Sequence, residues 1–259
     1  MKTLLWPMAV CAVFAGAASA AVQTKTVEYK SGETTCEGFV AFDDSKSDAR
    51  PGVLIVHQWK GLGDYEKKRA RMLAELGYVA FCADIYGKGV RPAEVKDAAA
   101  QAGKFKGDRA LFRQRLLAAF EELKKQPEVK PIYLAAIGYC FGGTGALELA
   151  RGGAGVRGVI SFHGGLNAPK PEDAKSIKGR VLVLHGADDP HVPPAEVTAF
   201  KKEMEDGGVV YDLVAYPGAV HSFTLWDAGS DNSTGSAYNK EADEKSWAAM
   251  KKFLEEIFR

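Results

Sequence analysis

The segment Ile137-Gly138-Tyr139-Cys140-Phe141-Gly142-Gly143 constrains this chain more than any other, because it sets a cysteine between two glycines where one periodicity gives way to another. The apolar run Ile132-Tyr133-Leu134-Ala135-Ala136-Ile137 before it reads as a buried strand, and Gly143 to Ala150 after it reads as a helix packed behind that strand. A chain turning this sharply from strand to helix forces its apex residue toward strained dihedrals, and side chains on the flanking residues would collide with neighbouring elements. Glycines remove that obstacle, so the Cys140 sulfur is presented rather than buried. The following helix aims backbone N–H donors and the positive end of its dipole at the sulfur, which favours thiolate and can hold an oxyanion.

A free cysteine often acts only as a small buried hydrophobe, so a nucleophile needs partners. An unperturbed thiol titrates near about 8.5 and needs a neighbouring base or cation to be a strong nucleophile at neutrality. The order nucleophile, acid, histidine of the α/β-hydrolases is present. After the run Val181 to His185 comes the loop Gly186-Ala187-Asp188-Asp189-Pro190-His191-Val192-Pro193, whose Val-Pro starts a helix; after Tyr211 to Tyr216, the loop Pro217-Gly218-Ala219-Val220-His221-Ser222-Phe223 places a histidine just past a strand end. His221 is the expected base, able to take the thiol proton and later activate water. Asp189 is the expected acid that fixes the imidazole's tautomer, with Asp188 as the competing carboxylate.

These residues resemble the dienelactone hydrolase family of α/β-hydrolases, with its Gly-x-Cys-x-Gly elbow, Asp-x-x-Val-Pro acid turn and Gly-x-x-His-Ser-Phe histidine loop. The Asp-x-x-Val-Pro register favours Asp189 over Asp188. The resemblance extends to Val53 through Leu62, Ala83-Asp84-Ile85-Tyr86-Gly87 and the tail from Ala237 to Arg259, nearly the whole mature chain. It implies hydrolysis of a small-molecule ester or lactone through an acyl-cysteine intermediate, with no metal or organic cofactor. It also implies an oxyanion hole from the backbone N–H groups of Phe141 and Trp59. Trp59 and Phe141 could line the acyl pocket, and a packed surface aromatic is the bland alternative for Trp59. Gln58, Tyr86, Lys88, Phe223 and Leu225 are the expected substrate contacts.

Three departures from the family pattern bear on mechanism. Gln58 stands where the founding enzymes carry a glutamate that helps activate the nucleophile; an amide cannot accept that proton, which leaves activation to His221 and the helix end. Lys88 and Leu225 stand where those enzymes place arginines that grip a carboxylate. A point charge lacks the bidentate fork, and leucine makes that wall apolar, so a dienelactone is not the first-choice substrate. Thioester hydrolysis or acyl transfer is the nearest alternative chemistry. The loss at Gln58 also leaves open a noncatalytic ligand-binding protein on a hydrolase scaffold.

Met1 to Ala20 reads as a secretory signal peptide with an Ala18-Ser19-Ala20 cleavage site, giving an exported protein, periplasmic or secreted. A retained anchor or a lipoprotein at Cys11 are the alternatives; Met8-Ala9-Val10 matches a lipidation site poorly. No later run has about 18 uninterrupted apolar residues, so no stable membrane insertion is expected after cleavage. The remaining 21–259 suits one α/β domain, a monomer or small homo-oligomer. With 34 basic against 33 acidic residues, the charge gives no case for a nucleic-acid partner. His191 with Asp188 lacks a spaced third ligand, so no metal is expected. His57, His163 and His185 fall at strand ends and read as structural.

Runs at Val53 to His57, Val79 to Ala83, Ile132 to Ile137, Val156 to Phe162, Val181 to His185 and Tyr211 to Tyr216 alternate with helical patterns, predicting a single-domain α/β-hydrolase fold with a mostly parallel sheet flanked by helices. Thr26 to Tyr29 and Cys36 to Phe42 would pair at one edge. Arg69/Met72/Leu73/Leu76, Phe112/Leu116/Phe120/Leu123 and Trp247/Met250/Leu254/Ile257 read as helical core stripes. Asp227 to Ser236 reads as a loop beside the base, a candidate lip. Cys36 and Cys82 are the one disulfide compatible with a free Cys140, or are both buried and reduced.

Overall fold

The computed structural model describes residues 22–259; the expected signal peptide lies outside them. Among the described residues eight strands form one sheet: β1 (Val22–Ser31), β2 (Thr34–Asp43), β3 (Arg50–Val56), β4 (Val79–Ala83), β5 (Val129–Tyr139), β6 (Gly158–Phe162), β7 (Arg180–Gly186) and β8 (Tyr211–Tyr216). Their spatial order is β1-β2-β4-β3-β5-β6-β7-β8. The β1–β2 hairpin runs antiparallel at one edge, and the strands from β4 to β8 are mutually parallel. Six α-helices join them: α1 (Asp64–Glu75), α2 (Val95–Gly107), α3 (Arg109–Lys124), α4 (Phe141–Arg151), α5 (Pro194–Asp206) and α6 (Lys240–Ile257). This is an α/β-hydrolase fold in a single domain.

A parallel strand covered on both faces must be apolar on both, and the central strands read that way. Along β3, Leu54 and Val56 enter one core while Val53 and Ile55 enter the other. Phe112, Leu116, Phe120 and Leu123 of α3 are buried against the first face, each worth about 2 kcal/mol of apolar burial. Met250, Leu254 and Ile257 of α6 bury against the second, with Trp247 packed at its margin. The α1 stripe is mixed: Arg69 and Leu73 are buried, but Leu76 is 45 % exposed. Arg69 is accommodated by an ion pair with Asp243 of α6 at 2.5 Å. Ile132, expected inside, is exposed because it falls in the stretch of β5 between Val129 and Leu134 where the register against β3 shifts, before pairing with β6 begins at Ala135.

The two faces also decide the disulfide. Cys36 belongs to the first core and Cys82 to the second, so their side chains lie on opposite sides of the sheet, and both are free thiols. The Cys36–Cys82 pairing is therefore not formed. Both strands were legible as strands, but which face each cysteine took depended on pairing register.

Candidate active site

Cys140 occupies the apex between β5 and α4 with φ 55° and ψ −116°, a left-handed conformation that an L-residue holds only under constraint. Close approach supplies it. A Cβ on Gly142 would sit 2.1 Å from the Val56 carbonyl oxygen, and one on Gly138 would sit 1.8 Å from the Gly142 carbonyl oxygen. The Cys140 N–H donates to the Phe162 carbonyl at 3.0 Å, tying the turn to β6.

The loops after β7 and β8 meet this apex. They are sewn together by the Asp188 N–H donating to Ala219 O at 3.0 Å and the Gly218 N–H donating to Asp188 Oδ2 at 3.0 Å. His221 thereby stands with Nε2 3.0 Å from Cys140 Sγ and Nδ1 2.8 Å from Asp189 Oδ2. Asp189's other oxygen accepts the His191 N–H at 2.8 Å. Of the two candidate carboxylates, Asp189 faces the imidazole and Asp188 staples the histidine loop. The Asp227–Ser236 segment backs the same loop: the His221 N–H donates to Gly235 O at 3.2 Å, and Asn232 Nδ2 donates to Gly218 O at 2.9 Å.

The electrostatics follow from this contact. Burial pushes the Cys140 thiol up, but the facing His221 imidazole, the Lys106 charge and the Phe141 N–H outweigh it and leave the thiol below its ordinary range. Burial pushes His221 down, and the Cys140 thiolate and Asp189 overcome that and raise it to about 10. Each shift has the other group among its causes, and both run in the direction that favours a thiolate–imidazolium pair.

The Trp59 amide is also fixed. His57, fully buried, donates from Nδ1 to the Gln58 carbonyl at 2.6 Å, while its Nε2 accepts the Ile85 N–H at 3.2 Å. Burial holds this ring neutral, lowering it to about 4. The Gln58 carbonyl shares a peptide plane with the Trp59 N–H, so pinning one aims the other. A cleft of about 630 Å³ opens beside this loop, lined by Gln58, Trp59, Tyr65, Arg91, Ser222 and Leu225 among others.

A sequence model of the dienelactone hydrolase family matches residues 37–258. The chain belongs to that family. As a dienelactone hydrolase family member it is an ester or lactone hydrolase. A dienelactone hydrolase-like promiscuous phosphotriesterase from metagenomic libraries is 40 % identical, with a TM-score of 0.88 over 93 % of this chain and 100 % of that one. An uncharacterized protein of Caenorhabditis elegans is 35 % identical over 149 residues, 57 % of this chain and 94 % of its own. A dienelactone hydrolase of Anabaena variabilis shares the fold, at 19 % identity and a TM-score of 0.68 over 92 % of this chain and 99 % of that one.

Within this family member three expected substrate contacts are displaced. Lys88 lies at the surface, paired with Glu28 and with Glu37 at 3.6 Å, because Gly87 turns the chain outward with φ 111°. Arg91, three residues on, takes a place on the cleft wall and is anchored to Asp84 at 3.2 Å. Tyr86 lies under the Gln58–Trp59 loop, its hydroxyl donating to Trp59 O at 2.8 Å and its ring against His57 and Phe141. Phe223 is fully buried against His163 and Tyr216. Gln58 and Leu225 do line the cleft.

Glu66 and Arg91 belong to no catalytic motif that singles them out, and His57 and His163 read from sequence as structural. Glu66 does have a signal, since it holds the third helical position after Gly63, where a carboxylate reaches back to the N-cap N–H. His163 carries none: its φ of 39° and its edge-to-face packing on His221, with ring centroids 5.3 Å apart, exist only in three dimensions.

Proposed function

We propose that this protein hydrolyses carboxylic esters or lactones through an acyl-cysteine intermediate on Cys140. The unbroken Asp189–His221–Cys140 contact, with steps of 2.8 and 3.0 Å, carries this reading. The Cys140 thiolate attacks the carbonyl carbon, and the oxygen gathers charge facing the Phe141 and Trp59 amides. Such donors are worth roughly 3 to 4 kcal/mol each when well aimed. As the tetrahedral species collapses, His221 gives its proton to the departing alkoxide and the acyl group stays on sulfur. The thioester carries no charge, so the imidazole loses the thiolate that raised its proton affinity and can take a proton from water. Hydroxide adds to the acyl carbon, the acid leaves, and Cys140 returns as thiolate with His221 protonated. Gln58 plays no acid–base part in this sequence.

The cleft beside Trp59 and Leu225 favours an acyl or alcohol portion with apolar surface, with Arg91, Lys60 and Lys67 as cations on its wall. The phosphotriesterase activity named for the metagenomic relative makes an activated phosphotriester a second probe, since thiolate attack at phosphorus would present a similar oxyanion to the same two amides. We further propose that residues 1–20 are removed and the enzyme acts outside the cytoplasm, which N-terminal sequencing of the exported protein tests by finding Ala21 first. Assay of purified protein with short-chain aryl esters, lactones, thioesters and an aryl phosphotriester tests the reaction class. Turnover of esters or lactones that disappears in Cys140→Ala is expected; a thioester preference would redirect the reading, and saturable binding without turnover would replace it with a noncatalytic one.

A further inference from the structure

Glu66 is a buried carboxylate that the acyl-cysteine reaction does not use. It is 2 % exposed, yet it borders the cleft. Its two oxygens take different partners: Oε1 accepts the Gln58 N–H at 3.1 Å and Oε2 accepts the Gly63 N–H at 3.0 Å. Those N–H groups stand at the two ends of the loop 58–63, which carries the Trp59 amide near its start. Inside the loop, the Gly61 N–H donates to Gln58 O at 3.1 Å, closing a turn that Gly61 permits with φ 88°.

Helix capping alone does not explain this arrangement. A capping carboxylate at this position needs only the Gly63 N–H and ordinarily stays wet, whereas Glu66 is withdrawn from water and spans the whole loop. Glycine at the N-cap has no side chain to return the contact, so the usual reciprocal bond is missing here as well. Burial pushes the carboxyl upward, and the Gln58 and Gly63 N–H groups draw it back, so the loop contacts oppose the cost of burying the charge. The first turn of α1, with its positive dipole end, adds to them.

We infer that Glu66 is a positioning residue for the oxyanion hole: its carboxylate bridges Gln58 N–H and Gly63 N–H and so holds the loop that aims the Trp59 amide at the reacting carbonyl. His57 fixes the Gln58–Trp59 peptide plane from one side, and Glu66 fixes the peptide before it and the far end of the loop. The inference rests on the acyl-cysteine reading above.

Glu66→Gln tests it. The amide keeps one acceptor oxygen and sets an NH2 donor against the other backbone N–H, so one loop end is released while the side-chain volume is kept. Two reactions of the same sulfur are compared: acylation by an aryl ester, which needs the oxyanion hole, and alkylation by iodoacetamide at an sp3 carbon, which does not. The expected result is a fall in the acylation rate constant of about tenfold to hundredfold. KM should stay within about threefold, and the alkylation rate and its pH dependence at Cys140 should be unchanged, as they depend on His221. Wild-type acylation by Glu66→Gln would overturn the inference. So would a parallel loss of acylation and alkylation, which marks general damage to the site. Wild-type protein that is alkylated at Cys140 yet never acylated would instead sink the parent reading, and the inference with it.

Discussion

His221 Nε2 stands 3.0 Å from Cys140 Sγ, and the proton affinities of the two groups move in opposite directions because of that contact. On the proposed mechanism Gln58 is therefore not a gap in the machinery, since the imidazole and the Phe141 N–H both favour the thiolate. Because the Cys140 pKa is lowered, the thiolate persists to the acid side of a free cysteine. The rate of iodoacetamide alkylation plotted against pH should reach half its plateau below the about 8.5 of an ordinary thiol. His221→Ala should carry that midpoint upward, because burial is then opposed only by the Lys106 charge and the Phe141 N–H. An unshifted midpoint in the variant would show that the pair is not coupled.

Asp189 and Asp188 separate by role. Asp189→Asn removes the charge that orients His221 and should lower kcat by about a hundredfold to ten-thousandfold. Asp188→Asn loosens only the Gly218 staple and should stay within about tenfold of wild type. Steady-state assay of both variants decides the matter, and equal losses would contradict the assignment.

Gly142→Ala should fail to fold stably. The added methyl would sit 2.1 Å from the Val56 carbonyl oxygen, where backbone rather than a flexible side chain must give way. A loss above about 3 kcal/mol is expected for such an overlap, read from the urea midpoint. A variant of near wild-type stability would mean that β3 and α4 can separate at little cost.

Lys88→Ala and Arg91→Ala test whether Arg91, rather than Lys88, is a cation of the cleft. Lys88 is an exposed partner of Glu28 and Glu37, so its loss should leave kcat/KM for any ester within about twofold. Arg91 lies on the cleft wall, and its removal should raise KM for esters bearing a carboxylate more than for neutral ones. The reverse pattern would restore Lys88 to the site.

The strands were readable because their runs of Val, Ile, Leu and Ala are apolar on both faces, and the elbow, acid loop and histidine loop were readable because their glycines and prolines mark strand ends. What escaped depends on how elements meet. Lys88 and Arg91 differ by three positions in a loop whose path is set at Gly87. Cys36 and Cys82 sit in strands whose pairing register puts them on opposite faces. Glu66 looks like any first-turn acid until the loop 58–63 folds back over it. Phe223 is adjacent to Ser222 in sequence, but the positive φ of 58° at Ser222 turns the chain so that Phe223 goes into the core.

The claim on which the mechanism depends is that the acyl group passes through Cys140. Acid quenching of wild-type protein within the first turnovers of an aryl acetate, followed by intact mass and peptide mapping, tests it most directly. One acetyl group on the peptide containing Cys140, absent in Cys140→Ala and accumulating where His221 can no longer activate water, is the predicted result. Sustained ester turnover with no acyl group on that peptide, or turnover retained in Cys140→Ala, would contradict it.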